Sequence, residues 1–258
     1  MLGLERRIPA LAAQDTITIR IPEATEQDVA ITSQKIERWE AAQTKENGFW
    51  KREGVLEPQM ARVLSRYKPF IDSVAGELSP DAAVLDIGCG PTCAGQLFPV
   101  RKLVFLDPLM DSYRETYGSL LPRGELITAR AEDIPKPAAS FDVVFSVNAL
   151  DHMADPDTVL SEVRRVLKPR GIFLLGLFLH SEPIAVIRKV IDRFLPFARE
   201  DAHPYSYTRR TAQQLLARHF ELQREVVVFR KNEALVPALH REDRMFVCGK
   251  RDSEVHQV

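Results

Sequence analysis

The chain has 258 residues, of which 45% are hydrophobic and 28% are charged, and its formal net charge is −1. This length and composition predict a single α/β domain with additional elements, and the balanced charge argues against nucleic acid as a partner. Three cysteines without framework spacing, together with the lack of a long apolar run, predict a cytoplasmic protein with neither a disulfide scaffold nor stable membrane insertion.

The N-terminal part of the chain predicts an extension ahead of the main domain. Alternation at residues 16–21 favours a strand, and a helical pattern begins at Ser33 and is interrupted at Asn47-Gly48. A second helix is expected at about residues 58–78. We place the boundary after residue 54, so that residues 1–54 form an extension or lid and residues 55–258 form the main domain.

Short apolar runs then alternate with helical patterns, which predicts a parallel sheet with right-handed crossovers. The predicted strands are Ala83–Ile87, 103–106, Glu125–Thr128, Phe141–Val147, 172–179, 226–229 and 245–248. A helix is predicted at residues 158–167, closed by Lys168-Pro169-Arg170-Gly171, and another at residues 211–219. Residues 180–208 interrupt the alternation and are interpreted as an insertion.

A glycine-rich turn follows the first buried strand, in the segment Val84-Leu85-Asp86-Ile87-Gly88-Cys89-Gly90-Pro91. Ligands of open α/β sheets bind at the carboxyl ends of the strands, where glycine lets a ligand approach the backbone. The pattern G-x-G-x-x-G of dinucleotide sites is missing, and Pro91 and Pro99 leave room for only a short helix. The turn is therefore a candidate ligand loop, with a purely structural turn as the alternative.

An acidic residue ends the second strand, in Leu103-Val104-Phe105-Leu106-Asp107-Pro108. The carboxylate of Asp107 is placed to accept hydrogen bonds from the two hydroxyls of a ribose, and each charge-assisted bond contributes about 1.5–3 kcal/mol. Alternatively, Asp107 caps the following helix, whose first position Pro108 suits. The two roles are compatible.

Two more segments, Ala131-Glu132-Asp133-Ile134-Pro135 and residues 140–152, complete an ordered set of motifs. Over about residues 82–179 this set resembles the class I S-adenosylmethionine-dependent methyltransferase family, in its methyltransferase type 11 branch. The resemblance implies an α/β, Rossmann-like seven-stranded sheet in the order 3-2-1-4-5-7-6, with helices on both faces and an N-terminal helical extension. The chain departs from the family pattern at Pro91 and Thr92, which replace a glycine, and at Lys136, which replaces an apolar residue.

The same resemblance implies S-adenosylmethionine as cofactor and S-adenosylhomocysteine as its product. The glycine turn would hold the methionine part, the second-strand acid the ribose, and the turn before Ile134 the adenine, while the end of the fourth strand would lie under the sulfonium. The implied cofactor-binding residues are Asp86, Gly88, Cys89, Gly90, Asp107, Pro108, Ala131, Glu132, Val147 and Asn148, with Asp133 as a further adenine candidate.

Alignment of the acceptor with the methyl group can supply about 7–11 kcal/mol of the barrier, and a general base assists when the acceptor is a hydroxyl. His152 and His203 are the catalytic candidates, with His180 as a third. Alternatively, His152 is a residue at a helix start, His203 lies in a surface turn, and the side chain of His180 faces solvent. No metal site is expected, because Cys89 and Cys93 lack a second pair with ligand spacing. Trp50 either covers the cofactor or anchors the N-terminal segment.

We expect methyl transfer to oxygen or nitrogen of a small-molecule or glycan acceptor, in a pocket built from the N-terminal helices and residues 180–208. One alternative is a lipid acceptor at a membrane surface, because the basic amphipathic segment 183–199 suits an interface. The same segment could instead be a lid or a homodimer contact. A second alternative is a non-catalytic binding protein, against which the glycine turn and Asp107 argue.

Overall fold

The computed structural model describes residues 26–186, 205–232 and 240–251. The strands are β1 Ala83–Ile87, β2 Lys102–Asp107, β3 Glu125–Thr128, β4 Phe141–Val147, β5 Leu167–His180, β6 Phe220–Asn232 and β7 His240–Lys250. The α-helices are α1 Glu26–Trp50, α2 Leu56–Ala75, α3 Met110–Tyr117, α4 Pro156–Val166 and α5 Arg209–Leu216. The strands form one sheet in the order β3-β2-β1-β4-β5-β7-β6, which confirms the predicted fold.

Strands β1 to β5 pair in parallel, whereas β7 lies antiparallel between β5 and β6. Apolar residues alternate between the two faces of the central strands and are buried on both. On one face, Val84 and Phe145 pack with residues of α2. On the other face, Leu85 and Val144 pack with residues of α4 and α5. Helices therefore cover both faces, as the sequence predicts.

The parallel pairing brings the candidate motifs to one edge of the sheet. Ile87 at the end of β1 pairs with Leu106 near the end of β2, and β1 also pairs with β4. The glycine turn, Asp107 and Asn148 each follow or end one of these three strands. They consequently meet at the carboxyl edge, where α/β sheets bind their ligands.

The first helix is longer than the sequence predicts. α1 continues to Trp50, so the predicted break at Asn47-Gly48 is wrong. Glycine inside a helix costs about 1 kcal/mol, which tertiary contacts can offset. Here Asn47 Oδ1 accepts a hydrogen bond of 2.8 Å from Ser112 Oγ, and the Tyr117 hydroxyl donates to the carbonyl oxygen of Trp50. The predicted strand at residues 16–21 lies outside the described residues.

The predicted end of the helix before β5 is also wrong. α4 ends at Val166, and Leu167 has an extended backbone that pairs with Phe141 of β4. The segment Lys168-Pro169-Arg170-Gly171 belongs to β5 and does not form a glycine-terminated helix end. Sheet pairing decides the local conformation here, and Lys168 Nζ donates a hydrogen bond of 2.7 Å to Asp142 Oδ2 on β4.

The insertion starts at the end of β5 and returns to the same edge of the sheet. Residues 182–186 are helical, and the backbone N–H of His180 donates a hydrogen bond of 2.9 Å to the carbonyl of Tyr207. Most of the amphipathic segment 183–199, and His203, lie outside the described residues. Within the ranges that the structure describes, none of the helices has the length and apolarity to cross a membrane.

Candidate active site

Two glycines of the turn after β1 have positive φ angles, +61° at Gly88 and +53° at Gly90. A Cβ atom on Gly88 would lie 2.5 Å from the Cβ of Ala149, so the turn packs directly against the segment that follows β4. Around Gly90, by contrast, no atom of the described residues lies within 4 Å of an added Cβ. The backbone of Gly90 therefore faces open space into which a ligand fits.

The carboxylate of Asp107 ties this turn to the end of β2. Asp107 Oδ2 accepts a hydrogen bond of 2.9 Å from the backbone N–H of Gly90, and Oδ1 accepts one of 2.9 Å from the N–H of Leu109. Burial raises the pKa of Asp107 to about 6, although both hydrogen bonds favour the ionised form. The bond to Leu109 orders the turn before α3. The helix begins at Met110, its N-cap is Leu109, and no side chain caps it, so the alternative in which Asp107 caps this helix with Pro108 at the first position is wrong.

Three adjoining cavities lie at this edge of the sheet. The inner cavity, of about 80 Å³, lies beside Gly90 and Asp107 and is covered by α1. The middle cavity, of about 440 Å³, lies between α1, α2 and the glycine turn. The outer cavity, of about 590 Å³, is bounded by α2, the ends of β5, β6 and β7, and residues 205–206. Asn148 and His152 line all three cavities and therefore mark their junction.

Most of the predicted cofactor residues line the inner or middle cavity. Gly88, Gly90 and Asn148 line both. The others of the inner cavity are Asp107, Pro108, Ala131 and Glu132, and those of the middle cavity are Cys89 and Val147. The structure therefore brings together nine of the ten residues that the sequence singles out.

Asp86 is the tenth, and it lies behind the glycine turn. Its side chain is buried, and Oδ2 accepts a hydrogen bond of 2.7 Å from the backbone N–H of Gly95. Oδ1 is buried and has no hydrogen-bond partner among the described residues. Burial raises the pKa of Asp86 to about 8. In the part of the chain that the structure describes, Asp86 shapes the turn and contributes no wall to the three cavities.

The turn after β3 contributes Ala131 and Glu132 in different ways. Ala131 is buried at the wall of the inner cavity. The carboxylate of Glu132 is engaged in structure, because Oε1 accepts hydrogen bonds from the N–H groups of Ala154 (2.8 Å) and Asp155 (3.1 Å). Asp133 is exposed and lines none of the three cavities, as far as the described residues go.

Asn148 is held in a left-handed conformation with φ of +50°. Its backbone N–H donates a hydrogen bond of 2.9 Å to the carbonyl of Gly176, and its Nδ2 donates one of 2.8 Å to the Tyr67 hydroxyl. The buried carboxylate of Asp243 also lies near that hydroxyl. Burial raises the pKa of Tyr67 above its ordinary value, so its hydroxyl stays neutral and able to donate. This chain of contacts fixes Asn148 at the junction.

The candidate bases differ in where the structure places them. His152 lies at the junction, with Nε2 3.7 Å from Asp151 Oδ2. His180 lines the outer cavity, as does Tyr205. His203 lies outside the described residues. Tyr207 is buried and packs in the core, so of these two tyrosines only Tyr205 faces the outer cavity.

Cys89 and Cys93 lie together in the core of the glycine turn. Both are buried, and Cys93 Sγ lies 3.8 Å from Cys89 Sγ within hydrogen-bonding range. Burial raises the pKa of the Cys89 thiol, which keeps it protonated. No cluster of three or more His, Cys, Asp or Glu side chains that could hold a metal ion occurs among residues 26–186, 205–232 and 240–251.

Trp50 has the anchoring role that the sequence analysis offers as one of its two alternatives. Its indole Nε1 donates a hydrogen bond of 2.5 Å to Glu46 Oε1, and its ring packs on the cluster around Cys89 and Phe105. The same ring lines the middle cavity. The residue thus anchors α1 and forms part of the cavity wall.

The sequence analysis missed the residues that α1 contributes. Trp39, Gln43 and Glu46 line the inner cavity, and the Arg130 guanidinium lies 4.5 Å from the centroid of the Trp39 ring. Their spacing places them on one face of a helix, so a search for an aromatic and polar helix face would have found them. The direction in which that face points depends on its packing with Arg130. A local sequence pattern cannot predict this contact, because Arg130 is distant in sequence from α1.

Comparisons with known proteins agree with this architecture. Residues 85–175 match the family model described as "Methyltransferase domain". The chain is 32% identical over 112 residues to malonyl-[acyl-carrier protein] O-methyltransferase of Methylovorus sp. (strain MP688), covering 39% of this chain and 38% of that one. It is 30% identical over 142 residues to 27-O-demethylrifamycin SV methyltransferase of Amycolatopsis mediterranei (strain S699), covering 52% and 50%. The chain spans 38% and 50% of the lengths of these two relatives.

Solved structures share the fold at low sequence identity. A SAM-dependent methyltransferase from Methanosarcina mazei is 19% identical with a TM-score of 0.52, covering 69% of this chain and 96% of that one. Geranyl diphosphate C-methyltransferase from Streptomyces coelicolor A3(2), in complex with Mg²⁺, geranyl diphosphate and S-adenosyl-L-homocysteine, is 11% identical with a TM-score of 0.54, covering 72% and 79%. At these identities, the likeness shows the fold alone.

Proposed function

Because the chain belongs to the class I methyltransferase family through residues 85–175, we propose that it transfers a methyl group from S-adenosylmethionine to a small-molecule acceptor. The observation that carries this proposal is the junction of the three cavities at Asn148 and His152. In this arrangement the inner and middle cavities take the cofactor, the outer cavity takes the acceptor, and the methyl group is transferred between them.

The residues of the inner and middle cavities fit the cofactor. Gly90 leaves open space at its backbone for the methionine part. Each carboxylate oxygen of Asp107 has one backbone donor and a remaining lone pair for a ribose hydroxyl. Ala131 and Met153 give the inner cavity an apolar wall suited to adenine. When bound, the cofactor supplies a methyl group that its sulfonium already makes electrophilic.

α1 acts as a lid in this proposal. At about 80 Å³ the inner cavity is smaller than a nucleoside, because Trp39, Gln43 and Glu46 fill the space over Asp107. Entry of the cofactor then requires this face of α1 to move away. After closure, the stacking of Arg130 on Trp39 holds the lid and excludes water from the methyl group.

In this proposal, the methyl group reaches the acceptor at the junction of the three cavities. His152 faces the cavities of both ligands and is the proposed general base for an oxygen or nitrogen acceptor. Asn148, fixed by Tyr67 and Gly176, orients the acceptor beneath the methyl group. The name of one relative includes O-methyltransferase, which favours oxygen. His203 remains a second candidate on the basis of the sequence alone.

The two alternative functions, a lipid methyltransferase and a non-catalytic binding protein, rest on different features. A lipid acceptor rests on the segment 183–199, most of which lies outside the described residues, while the charged walls of the outer cavity favour a polar acceptor. A non-catalytic binding protein would bind the cofactor without turnover.

Turnover with a panel of hydroxyl, amine and carboxyl compounds tests the proposal, with S-adenosylhomocysteine formation followed by mass spectrometry. We expect acceptor-dependent product that is lost in Asp107→Ala. Cofactor binding without product from any acceptor in the panel would favour the binding protein.

A further inference from the structure

We propose that the methyl acceptor carries an anionic group, a carboxylate or a phosphate, which Arg62 and Lys231 bind at the rim of the outer cavity. This inference rests on the proposed function, because it specifies the substrate class for the cavity assigned to the acceptor. It follows from an imbalance of charge on the described cavity wall, from the pairing of one hairpin and from two exposed cations whose side chains form no salt bridge among the described residues.

The described wall of the outer cavity is rich in cations although the whole chain has a net charge of −1. Apart from its histidines, the charged side chains on this wall are the cations Arg62, Arg66, Lys231 and Arg241 and the carboxylates Asp151 and Asp243.

The deepest of these charges neutralise one another. The Arg66 guanidinium donates a hydrogen bond to Asp243 Oδ2 and lies 4.2 Å from the centroid of the Phe229 ring. The Tyr67 hydroxyl also lies near Asp243, whose side chain is fully buried. This inner layer is part of the fold and leaves no net charge for a ligand.

Two cations lie outside this layer and form no salt bridge in the described chain, although the charge of Arg62 also acts on Asp243. Arg62 precedes Arg66 by one helical turn on α2, and Lys231 follows Phe229 by two residues on β6. Each therefore lies on the same face as its neighbour, next to the Arg66–Phe229 contact. Both are exposed, and neither side chain makes a hydrogen bond or a salt bridge within residues 26–186, 205–232 and 240–251.

The β6–β7 hairpin shows that this arrangement is specific to the cavity face. Lys231 lies directly opposite Arg241, and both side chains line the outer cavity. Like charges opposite each other destabilise an antiparallel pair. On the other face, Arg230 lies opposite Glu242 and donates a hydrogen bond of 2.8 Å to it. Lys231 therefore has no carboxylate directly opposite it on β7, and its side chain is available to an anion in the cavity.

The remaining wall defines the body of the acceptor. Phe178, Tyr205 and Phe229 supply aromatic surface, and the volume of about 590 Å³ accommodates a metabolite-sized molecule. With its anionic group at Arg62 and Lys231, such a molecule extends past the aromatic wall towards Asn148 and His152. Lys231 lines the outer cavity but not the middle one, whereas Arg62, like Asn148 and His152, also lines the middle cavity assigned to the cofactor.

Matched probes test the inference by calorimetry with and without saturating S-adenosylhomocysteine. The carboxylate arm compares 4-hydroxybenzoate with neutral 4-hydroxybenzamide, and the phosphate arm compares phenyl phosphate with its neutral dimethyl ester. We expect at least one anion to bind about tenfold more tightly than its neutral partner, a difference of about 1.4 kcal/mol. The arm that shows the preference identifies the anionic group.

The double variant Arg62→Gln/Lys231→Gln should reduce this preference to less than about threefold. Lys68→Gln is the matched control, because Lys68 is an exposed cation of α2 that pairs with Asp72 and does not line the outer cavity of the described chain. Both changes affect exposed side chains, so thermal melting should remain close to wild type.

Equal binding within each pair, no binding of either anion, or an unchanged preference in the double variant would overturn the inference. Titration of S-adenosylhomocysteine into the same samples tests the proposed function separately. Binding of that ligand without an anion preference overturns only the substrate class. An anion preference without binding of that ligand overturns the cofactor assignment and leaves the anion site standing.

Discussion

The backbone N–H of Gly90 donates a hydrogen bond of 2.9 Å to Asp107 Oδ2, and this bond joins the turn after β1 to the end of β2. Because the two strands are adjacent and parallel, the open backbone of Gly90 and the carboxylate of Asp107 face the same cavity. A ligand that fills the space beside Gly90 therefore meets Asp107. The predictions for cofactor binding depend on this geometry.

Binding of S-adenosylhomocysteine should tighten as the pH rises through about 6. Burial raises the pKa of Asp107 to about 6, so the carboxyl is protonated below that pH and ionised above it. Only the ionised form offers both oxygens as strong acceptors to the ribose hydroxyls. Calorimetry should show a Kd about tenfold larger at pH 5 than at pH 7.5. Asp107→Asn should abolish this dependence, and a flat wild-type profile would contradict the prediction.

Gly90→Ala should weaken S-adenosylhomocysteine binding about tenfold or more, because the new methyl group occupies the space assigned to the ligand. The matched control is Gly54→Ala, since Gly54 also has a positive φ, +73°, has equally open surroundings among the described residues, and lines none of the three cavities. Both variants should lose about 1–2 kcal/mol of stability from backbone strain. Equal binding by the two variants would remove Gly90 from the site.

The free energy of unfolding should fall as the pH rises towards about 8, and Asp86→Asn should flatten this dependence. Burial raises the pKa of Asp86 to about 8 from an ordinary value of 3.8, so the folded state keeps a proton that the unfolded chain loses. This contribution is fully present below the ordinary pKa and is lost as the pH rises through about 8. Urea titrations at pH 6 to 9 measure the slope. The exposed Asp81→Asn should retain the wild-type slope, and an unchanged slope in Asp86→Asn would refute the prediction.

Replacing the general base should lower turnover by about 10²–10⁴-fold while changing S-adenosylhomocysteine affinity little. We expect this result for His152→Gln, because His152 lies where the cofactor and acceptor cavities meet. His219→Gln is the control, since His219 pairs with Asp157 and lines none of the three cavities of the described chain. Single-turnover rates and calorimetry separate the two effects. If His203→Gln has the large effect instead, the base lies on the insertion.

The strands could be predicted from the sequence because buried parallel strands leave continuous apolar runs, as in Phe141–Val147. The boundaries that failed depend on partners distant in sequence. Asn47 stays helical through its contact with Ser112, and Leu167 is extended because it pairs with Phe141. Neither contact can be predicted from the residues close to the turn, because its partner is distant in sequence.

The cofactor side of the site could be predicted because its residues follow consecutive strands, whose carboxyl ends must meet. The acceptor side of the site could not be predicted in this way. Arg62, Phe178 and Lys231 come from α2, β5 and β6 and reach one cavity only through the packing of α2 beside the β6–β7 hairpin. The insertion supplies less of the described wall than the sequence suggests, with Tyr205 facing the cavity and Tyr207 buried in the core.

Calorimetric titration of the purified chain with S-adenosylhomocysteine tests the central claim most directly. We predict one site per chain with a Kd in the micromolar range or tighter, and binding weakened about tenfold or more by Asp107→Ala. No heat of binding, together with no shift in the melting temperature for this ligand or for S-adenosylmethionine, would contradict the account.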